Sequence, residues 1–359
     1  MAAKSPSKEP KVMEHRDGRR RLNRTAVLAA GVVVLFAVSV LLGGYTVTIP
    51  DFFTIVTNHL TGGARIPGPS FIVMENKLPR ALTGTMIGIA FGLAGALFQT
   101  MLRNPLASPD VIGISSGASA AAVVAIVIFG ASGAVVSGAA LGGALAVAAL
   151  IYAISTGGAI RGSGRGSAAG NRLVLAGVGI AAALQAVVSF LMTRADIRTA
   201  ADALVWLNGS LNSANWDRTG ILFLALLVQV PAAVLIAGPL RILELGDDAA
   251  AGLGVRVNAA RLALVLIAVS LAAVATAAAG PVSFVAFLAG PIARRFTGKA
   301  SLPASALVGA LIVLAADFFA ANLAPLLLDG TVLPVGVVTG ALGAPLLLWL
   351  LVTANRKDA

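Results

Sequence analysis

Long unbroken apolar runs limit how this chain can fold more than any other feature. Several of them approach the roughly 20 residues that a helix needs to cross a bilayer. Only 11% of the 359 residues are charged and 58% are hydrophobic, whereas a soluble domain carries about 25% charged residues. Inside lipid only helices or a closed barrel satisfy the backbone, and barrel strands alternate in polarity, which these runs do not. The sequence predicts an all-α polytopic membrane protein.

The apolar runs predict about ten transmembrane helices in one domain, residues 25–355. The basic segment 1–24 is expected to be a disordered cytoplasmic tail. The first run is too long for a signal-peptide core of roughly 7–15 residues, so it is interpreted as an uncleaved span. The predicted spans cover 25–47, 78–101, 111–129, 135–154, 173–192, 221–236, 262–279, a short apolar segment 281–293, 302–324 and 333–352. Residues 48–77 and 194–218 are expected to be outer connections.

Basic residues cluster in alternate connections between the predicted spans. Cytoplasmic loops of membrane proteins carry an excess of Lys and Arg, so the pattern favours an even number of spans with both termini in the cytoplasm. The net charge of +11 is explained by this bias, and no nucleic-acid partner is needed to account for it. The expected location is a lipid membrane with both termini on its cytoplasmic side.

A row of glycines marks the second predicted span. Gly84, Gly88 and Gly92 are four residues apart and share one helix face. Two interpretations stay open: small residues let another helix pack closely, or they form a smooth wall beside a passage, together with Gln99. Asp317 is the clearest ionisable residue within a span and is interpreted as a hydrogen-bonded structural carboxylate. So little buried charge indicates that the energy for any transport comes from elsewhere.

Neither an enzyme nor a cofactor site is indicated. The chain has no cysteine, and its two histidines, His15 and His59, lie outside the apolar runs, so no metal centre is predicted. A phosphate-binding loop needs the pattern G-x-x-x-x-G-K-[ST], and the nearest fragment, Gly298–Ala300, lacks both the hydroxyl residue and the upstream glycine. Any nucleotide is therefore expected on partner subunits.

The inner segment 239–261 has the pattern of a short helix between two spans. Asp247 or Asp248 is predicted to cap it, alanines continue it, and the glycine region 252–254 ends it. A solvated connection is the plainer interpretation, but such a connection does not need a patterned helix of small residues. A docking surface for a soluble partner does.

Motifs along the chain also resemble the iron–siderophore and cobalamin permeases of bacterial ABC importers, from about residue 30 onward. The matching stretches are Lys77–Arg80, Arg103–Pro109, Gly113–Ala118, Leu175–Gly177, Trp206–Leu211, Leu245–Gly254, Gly280–Val285, Leu333–Gly336 and Gly343–Pro345. The resemblance implies the type II importer permease fold with ten spans. It also implies transport of an iron–siderophore complex by alternating access.

This resemblance implies partners and roles for particular residues. The expected partners are two cytoplasmic ABC ATPases, a second permease and an extracytoplasmic siderophore-binding protein. Lys77 and Arg80 match positions that dock the binding protein, and Gly170 and Asn171 match the inner gate. The residues matching the ATPase-coupling helices are Leu245, Gly246, Asp247, Asp248, Ala250, Leu253 and Gly254.

Some positions depart from the family pattern. Gly290-Pro291 replaces a Pro-His pair, and Ala321 stands where an arginine is common, which reduces the charge expected for docking. These departures favour a heterodimer with a second, homologous permease, although a homodimer stays open. Cobalamin and haem permeases share the pattern, so these cargoes stay open as alternatives. The rival classes of protein are an ion-gradient-driven transporter and a structural membrane protein.

Overall fold

A computed structural model describes residues 9–63, 66–110, 112–157 and 167–355, and the regular structure of these residues is helical. Two π-helical turns, Ile72–Lys77 and Phe319–Leu323, extend neighbouring helices. This confirms the all-α fold class. The α-helices are α1 Glu9–Leu41, α2 Ile49–Thr61, α3 Pro69–Phe71, α4 Leu78–Met101, α5 Ile114–Val127, α6 Ala134–Gly157, α7 Ser167–Arg194, α8 Ile197–Leu207, α9 Trp216–Leu235, α10 Ala237–Leu243, α11 Asp247–Gly252, α12 Val257–Ala279, α13 Val285–Thr297, α14 Leu302–Phe318, α15 Ala324–Leu327 and α16 Val335–Asn355.

Each of the ten predicted spans overlaps one of these helices, in order: α1, α4, α5, α6, α7, α9, α12, α13, α14 and α16. Within the described ranges, seven helical stretches are long and apolar enough to cross a membrane, and α5 and α16 contribute shorter apolar stretches. Helix α13 has 13 residues and is therefore about 20 Å long. That is less than the roughly 30 Å of the hydrocarbon core, so α13 by itself is too short to cross a membrane.

The first helix begins earlier than expected. Disorder was predicted for residues 1–24, yet α1 starts at Glu9, and only residues 1–8 of this tail lie outside the described part. Ten of the sixteen residues 9–24 are Arg, Glu, Lys, Met or Leu, which favour helix. An existing span also extends without a new nucleation step, so a helix can continue into this basic segment.

The outer connection 48–77 is more ordered than a plain loop. Helix α2 begins after Thr48, whose hydroxyl accepts a hydrogen bond from the Asp51 amide, and it ends at Gly62 with φ 73°. Pro50 stands in its first turn. A hydroxyl cap, an early proline and a closing glycine are the ordinary signals of a short helix. The segment is nevertheless too polar to be predicted as a membrane span.

Helix α4 lies at the centre of the bundle. It packs against α14, α12, α13 and α9, and most of its side chains from Ile87 to Met101 are buried. A helix surrounded on several sides by other helices has no face left for lipid. Its central position lets residues at both ends of α4 contact distant parts of the chain.

The glycine face of α4 is a packing surface. A Cβ atom on Gly88 would lie 2.5 Å from Ala310 Cα, and one on Gly92 would meet the backbone of Ser305. Both of these partners belong to α14, where Gly309 faces Gly88 in return. The structure therefore favours helix packing over the passage wall for these glycines. Gly84 has more room, with Leu211 and Val313 as its neighbours.

We predict that Gly88→Val destabilises the fold, because its side chain would overlap the backbone of α14. Overpacking of this kind costs about 1–3 kcal/mol. The thermal unfolding midpoint of the purified protein in detergent measures the effect. Gly142→Val on α6 is the matched control, since a Cβ at Gly142 meets nothing within 4 Å. Equal midpoints for the two variants would contradict the packing role.

Candidate functional site

A short helical knob connects α9 to α12 and consists of α10 and α11. Leu243 and Ala250 are buried beneath it, whereas Leu245 and Leu253 expose 68% and 64% of their surface. The two exposed leucines flank α11. The knob thus presents apolar side chains at one end of the bundle, as a surface for a protein partner would.

The ends of α11 are set by glycines. Gly246 precedes the helix with φ 115°, and Gly254 follows it with φ 83°. Both values favour glycine. The predicted capping role of Asp247 or Asp248 was wrong, because no side chain caps α11 and Asp247 is already its first helical residue.

Asp247 instead faces the bundle. Its carboxylate accepts hydrogen bonds from Arg261 Nη2 at 3.0 and 3.1 Å and from Arg103 Nη2 at 3.2 Å. Arg103 Nη2 also donates to the Leu243 carbonyl at 2.7 Å. By contrast, Asp248 is exposed. One acidic residue of the knob is thus held by the bundle, and its neighbour is open to solvent.

The two residues expected to dock a binding protein are engaged within the chain. Arg80 forms a two-point ion pair with Asp317, with both N–O distances 2.8 Å. The exposed fractions of these side chains are only 17% and 9%. The Lys77 ammonium donates to the carbonyls of Leu42 and Tyr45. Neither residue is a freely exposed charge in this chain; these contacts weigh against docking through Lys77 and Arg80, which stays a prediction. The interpretation of Asp317 as a structural carboxylate is confirmed.

A cavity of about 300 Å³ adjoins this ion pair. Asn76, Lys77 and Asn322 line it with polar groups, and Ala321 forms part of its wall.

A second cavity, of about 470 Å³, lies where two helical connections are irregular. One connection precedes α5, and the other is the segment Gly280–Phe284 between α12 and α13. Phe284 adopts φ 66°, a conformation that costs a bulky residue energy. The cavity lining combines hydroxyls, a carboxyl group and two aromatic rings: Ser108, Ser115, Ser116, Ser283, Asp110, Phe284 and Phe287.

Asp110 is a cavity residue that the sequence analysis missed. It is half-buried, and the Ser115 hydroxyl donates a hydrogen bond to its carboxylate. Desolvation raises the pKa of the Asp110 carboxyl above its usual value, while the bond from Ser115 acts in the opposite direction. The sequence did carry a signal for Asp110: it is an acidic residue directly after Ser108-Pro109 and just before the start of a helix.

The remaining predicted path residues occupy different places. Gln99 is buried, and its Nε2 donates to the Phe287 carbonyl at 2.9 Å, so it joins α4 to α13 and is not a free path residue. Gly170 and Asn171 lie in the first turns of α7. The surroundings of these two residues are outside the described part of the chain, so the gate role stays a prediction.

The comparisons with known proteins agree with one another. Residues 31–353 match the FecCD transport family. The chain is 40% identical over 290 residues to the ferric enterobactin transport system permease protein FepG of Escherichia coli, covering 80% of this chain and 84% of the relative. It is 35% identical over 349 residues to the Fe(3+)-citrate import system permease protein YfmE of Bacillus subtilis, covering 96% and 98%.

A solved structure also matches the fold over nearly its whole length. It is described as an inward-facing conformation of a metal-chelate type ABC transporter. The TM-score is 0.76 at 25% identity, with 92% of this chain and 98% of the other covered. Sequence and fold therefore point in the same direction.

We predict that Arg80→Met destabilises the protein, because it leaves the Asp317 carboxylate buried without its partner. Breaking a buried ion pair on one side costs about 3–5 kcal/mol. Adding Asp317→Leu should recover most of the loss, and Lys77→Met should cost less because it leaves no buried charge unpaired. Thermal unfolding in detergent measures all three. A double variant as unstable as Arg80→Met alone would contradict the pairing.

Asp110→Asn should stabilise the protein at mildly alkaline pH. A carboxyl with a raised folded-state pKa contributes stability only at low pH and loses it as pH rises through that pKa. The advantage of the variant should therefore shrink as pH falls from the raised folded-state pKa towards the unfolded-state pKa, and it should be gone below the unfolded-state value. Unfolding midpoints across pH test this.

Asp196 provides a control, because its carboxyl pKa is shifted in the direction opposite to that of Asp110. Hydrogen bonds from the Thr199 side chain and backbone lower the pKa of Asp196 at the start of α8. Asp196→Ala should cost stability at neutral pH, and its loss should lessen on acidification. A parallel pH response of the two variants would contradict the assignment for Asp110.

Proposed function

The chain belongs to the FecCD transport family, and we propose that it is the permease subunit of an ATP-driven importer carrying iron–siderophore complexes across the bacterial cytoplasmic membrane. The observation that carries this proposal is the family match over residues 31–353, with relatives named for importing ferric enterobactin and Fe(3+)-citrate. Because those names specify ferric chelates, we favour this cargo over cobalamin or haem.

The family assignment places the chain in a permease dimer within an ABC transporter, as an integral membrane protein. We propose that the dimer is a heterodimer with a homologous permease. The departures at Gly290-Pro291 and Ala321 support this choice. The basic residues of the inner connections support cytoplasmic termini.

The proposed energy source is a pair of ATPase subunits bound at the knob. The chain carries no phosphate-loop motif, and Leu245 and Leu253 offer exposed apolar surface on the knob. Movement of this knob would alternate access to the cavity of about 470 Å³. The binding protein would dock at the opposite end, through surfaces other than the Lys77 and Arg80 charges.

The main rival is a transporter driven by an ion gradient. Such a transporter needs a membrane carboxylate that gains and loses a proton or an ion. Asp317 is the acidic residue within the predicted spans that the sequence favours for this task, but both of its carboxylate oxygens accept hydrogen bonds from Arg80. Because the carboxylate is already engaged at both oxygens within the chain, it is not available to bind a coupling ion, which supports the ATP-driven alternative.

Uptake of radiolabelled iron chelates by cells lacking this permease tests the proposal. We expect uptake of at least one ferric catecholate, hydroxamate or citrate complex to be lost, and to return with the wild-type chain. Unchanged uptake of all ferric complexes with loss of cobalamin or haem uptake would refute the cargo. Accumulation by the purified chain alone, in vesicles with an imposed ion gradient, would refute the energy source.

A further inference from the structure

Two arginines from different parts of the bundle hold one carboxylate of the knob. We call Arg103, Asp247 and Arg261 the arginine–aspartate clamp. Asp247 Oδ1 lies 3.2 Å from Arg103 Nη2 and 3.0 Å from Arg261 Nη2. Hydrogen bonds between ionised groups are shorter and stronger than neutral ones. Asp247 therefore joins α11 to Arg103, which is 144 residues away in the chain, and to Arg261 on the next helix, which is 14 residues away.

The elements joined in this way are the knob and two helices that lead to the larger cavity. Arg103 follows the end of α4, and the same connection continues to Ser108 and Asp110 in the cavity wall. Arg261 lies on α12, whose far end leads into Gly280–Phe284, which also borders the cavity. Displacement of α11 would thus be carried to both irregular connections through one carboxylate.

The backbone at Arg103 supports a specific role for this contact. Arg103 adopts φ 50°, a left-handed conformation that costs a non-glycine residue energy. Its guanidinium contacts both helices of the knob, since Nη2 donates to the last residue of α10 as well as to α11. An arginine in this strained position anchors the knob at two points.

We propose that Asp247 is a positioning residue for transport: it transmits the movement of α11 to α4 and α12 and is not itself a contact for the ATPase. This inference rests on the proposed function, because it assumes that an ATPase moves the knob. It changes the role expected for Asp247 from the resemblance, and it leaves Leu245 and Leu253 as the docking surface. The Asp247 side chain is only 28% exposed, which agrees with a contact directed inward.

The test compares Asp247→Asn with Asp202→Asn in the complete transporter, reconstituted with its ATPase and binding protein in vesicles. Asp202 is the control, since it is an exposed acidic residue on α8, outside the knob. We expect Asp247→Asn to bind the ATPase and hydrolyse ATP normally but to transport about tenfold less chelate per ATP, given the strength of hydrogen bonds to charged groups. Asp202→Asn should transport normally.

Two further variants keep the result interpretable if Asp247→Asn folds poorly. Arg103→Gln removes one contact of the clamp and leaves the Asp247–Arg261 pair. It should therefore lower transport per ATP by less than Asp247→Asn does. Asp247→Glu keeps the charge and should restore part of the transport per ATP. Unfolding midpoints measured in parallel separate uncoupling from loss of structure.

Each outcome has a defined meaning. Normal transport per ATP in both Asp247→Asn and Arg103→Gln would overturn the clamp, and so would loss of ATPase binding in Asp247→Asn. Leu245→Asp with Leu253→Asp tests the proposed function separately: the pair should abolish ATPase binding. If that pair binds the ATPase and transports normally, the docking surface proposed for the knob is wrong, whatever the clamp variants show.

Discussion

The rest of the structure depends on the close approach of the α4 backbone to its neighbours. In lipid, helices do not gain from burying apolar surface against one another, so contact between small residues drives their association. Gly88 and Gly92 bring α14 against α4. This contact places Arg80 beside Asp317 near one end of α4 and sends Arg103 towards the knob at the other end. The two charged contacts can form only because the packing between them fixes where α4 lies.

Much of the fold could be predicted because span length and polarity are local properties. The limits of α4 coincide with the predicted 78–101, and α14 begins at the predicted Leu302. The short helix within 239–261 was predicted from its alanines and glycines. The extension of α1 to Glu9 and the helix α2 were not, because a search for apolar runs gives little weight to polar residues with helix-forming or capping character.

The errors at the candidate sites have a different origin, namely pairing between distant positions. Arg80 and Asp317 are 237 residues apart, and no local pattern shows that a basic residue at a span end is already neutralised. The same holds for Asp247, whose place before three alanines suggests a helix cap but whose carboxylate is taken by Arg103 and Arg261. Asp110 was overlooked because its importance lies in the cavity beside it, which exists only once α5, α13 and α16 have assembled.

The left-handed backbone at Arg103 has a consequence for engineering. Glycine or asparagine would occupy that conformation more cheaply. Either replacement would also remove the guanidinium that donates to the Leu243 carbonyl and the Asp247 carboxylate. Hydrogen bonds to charged groups contribute about 1.5–3 kcal/mol, so relief of the backbone would not raise the stability of the protein. Position 103 is therefore a poor target for thermostabilisation, although its φ angle alone would mark it as a good one.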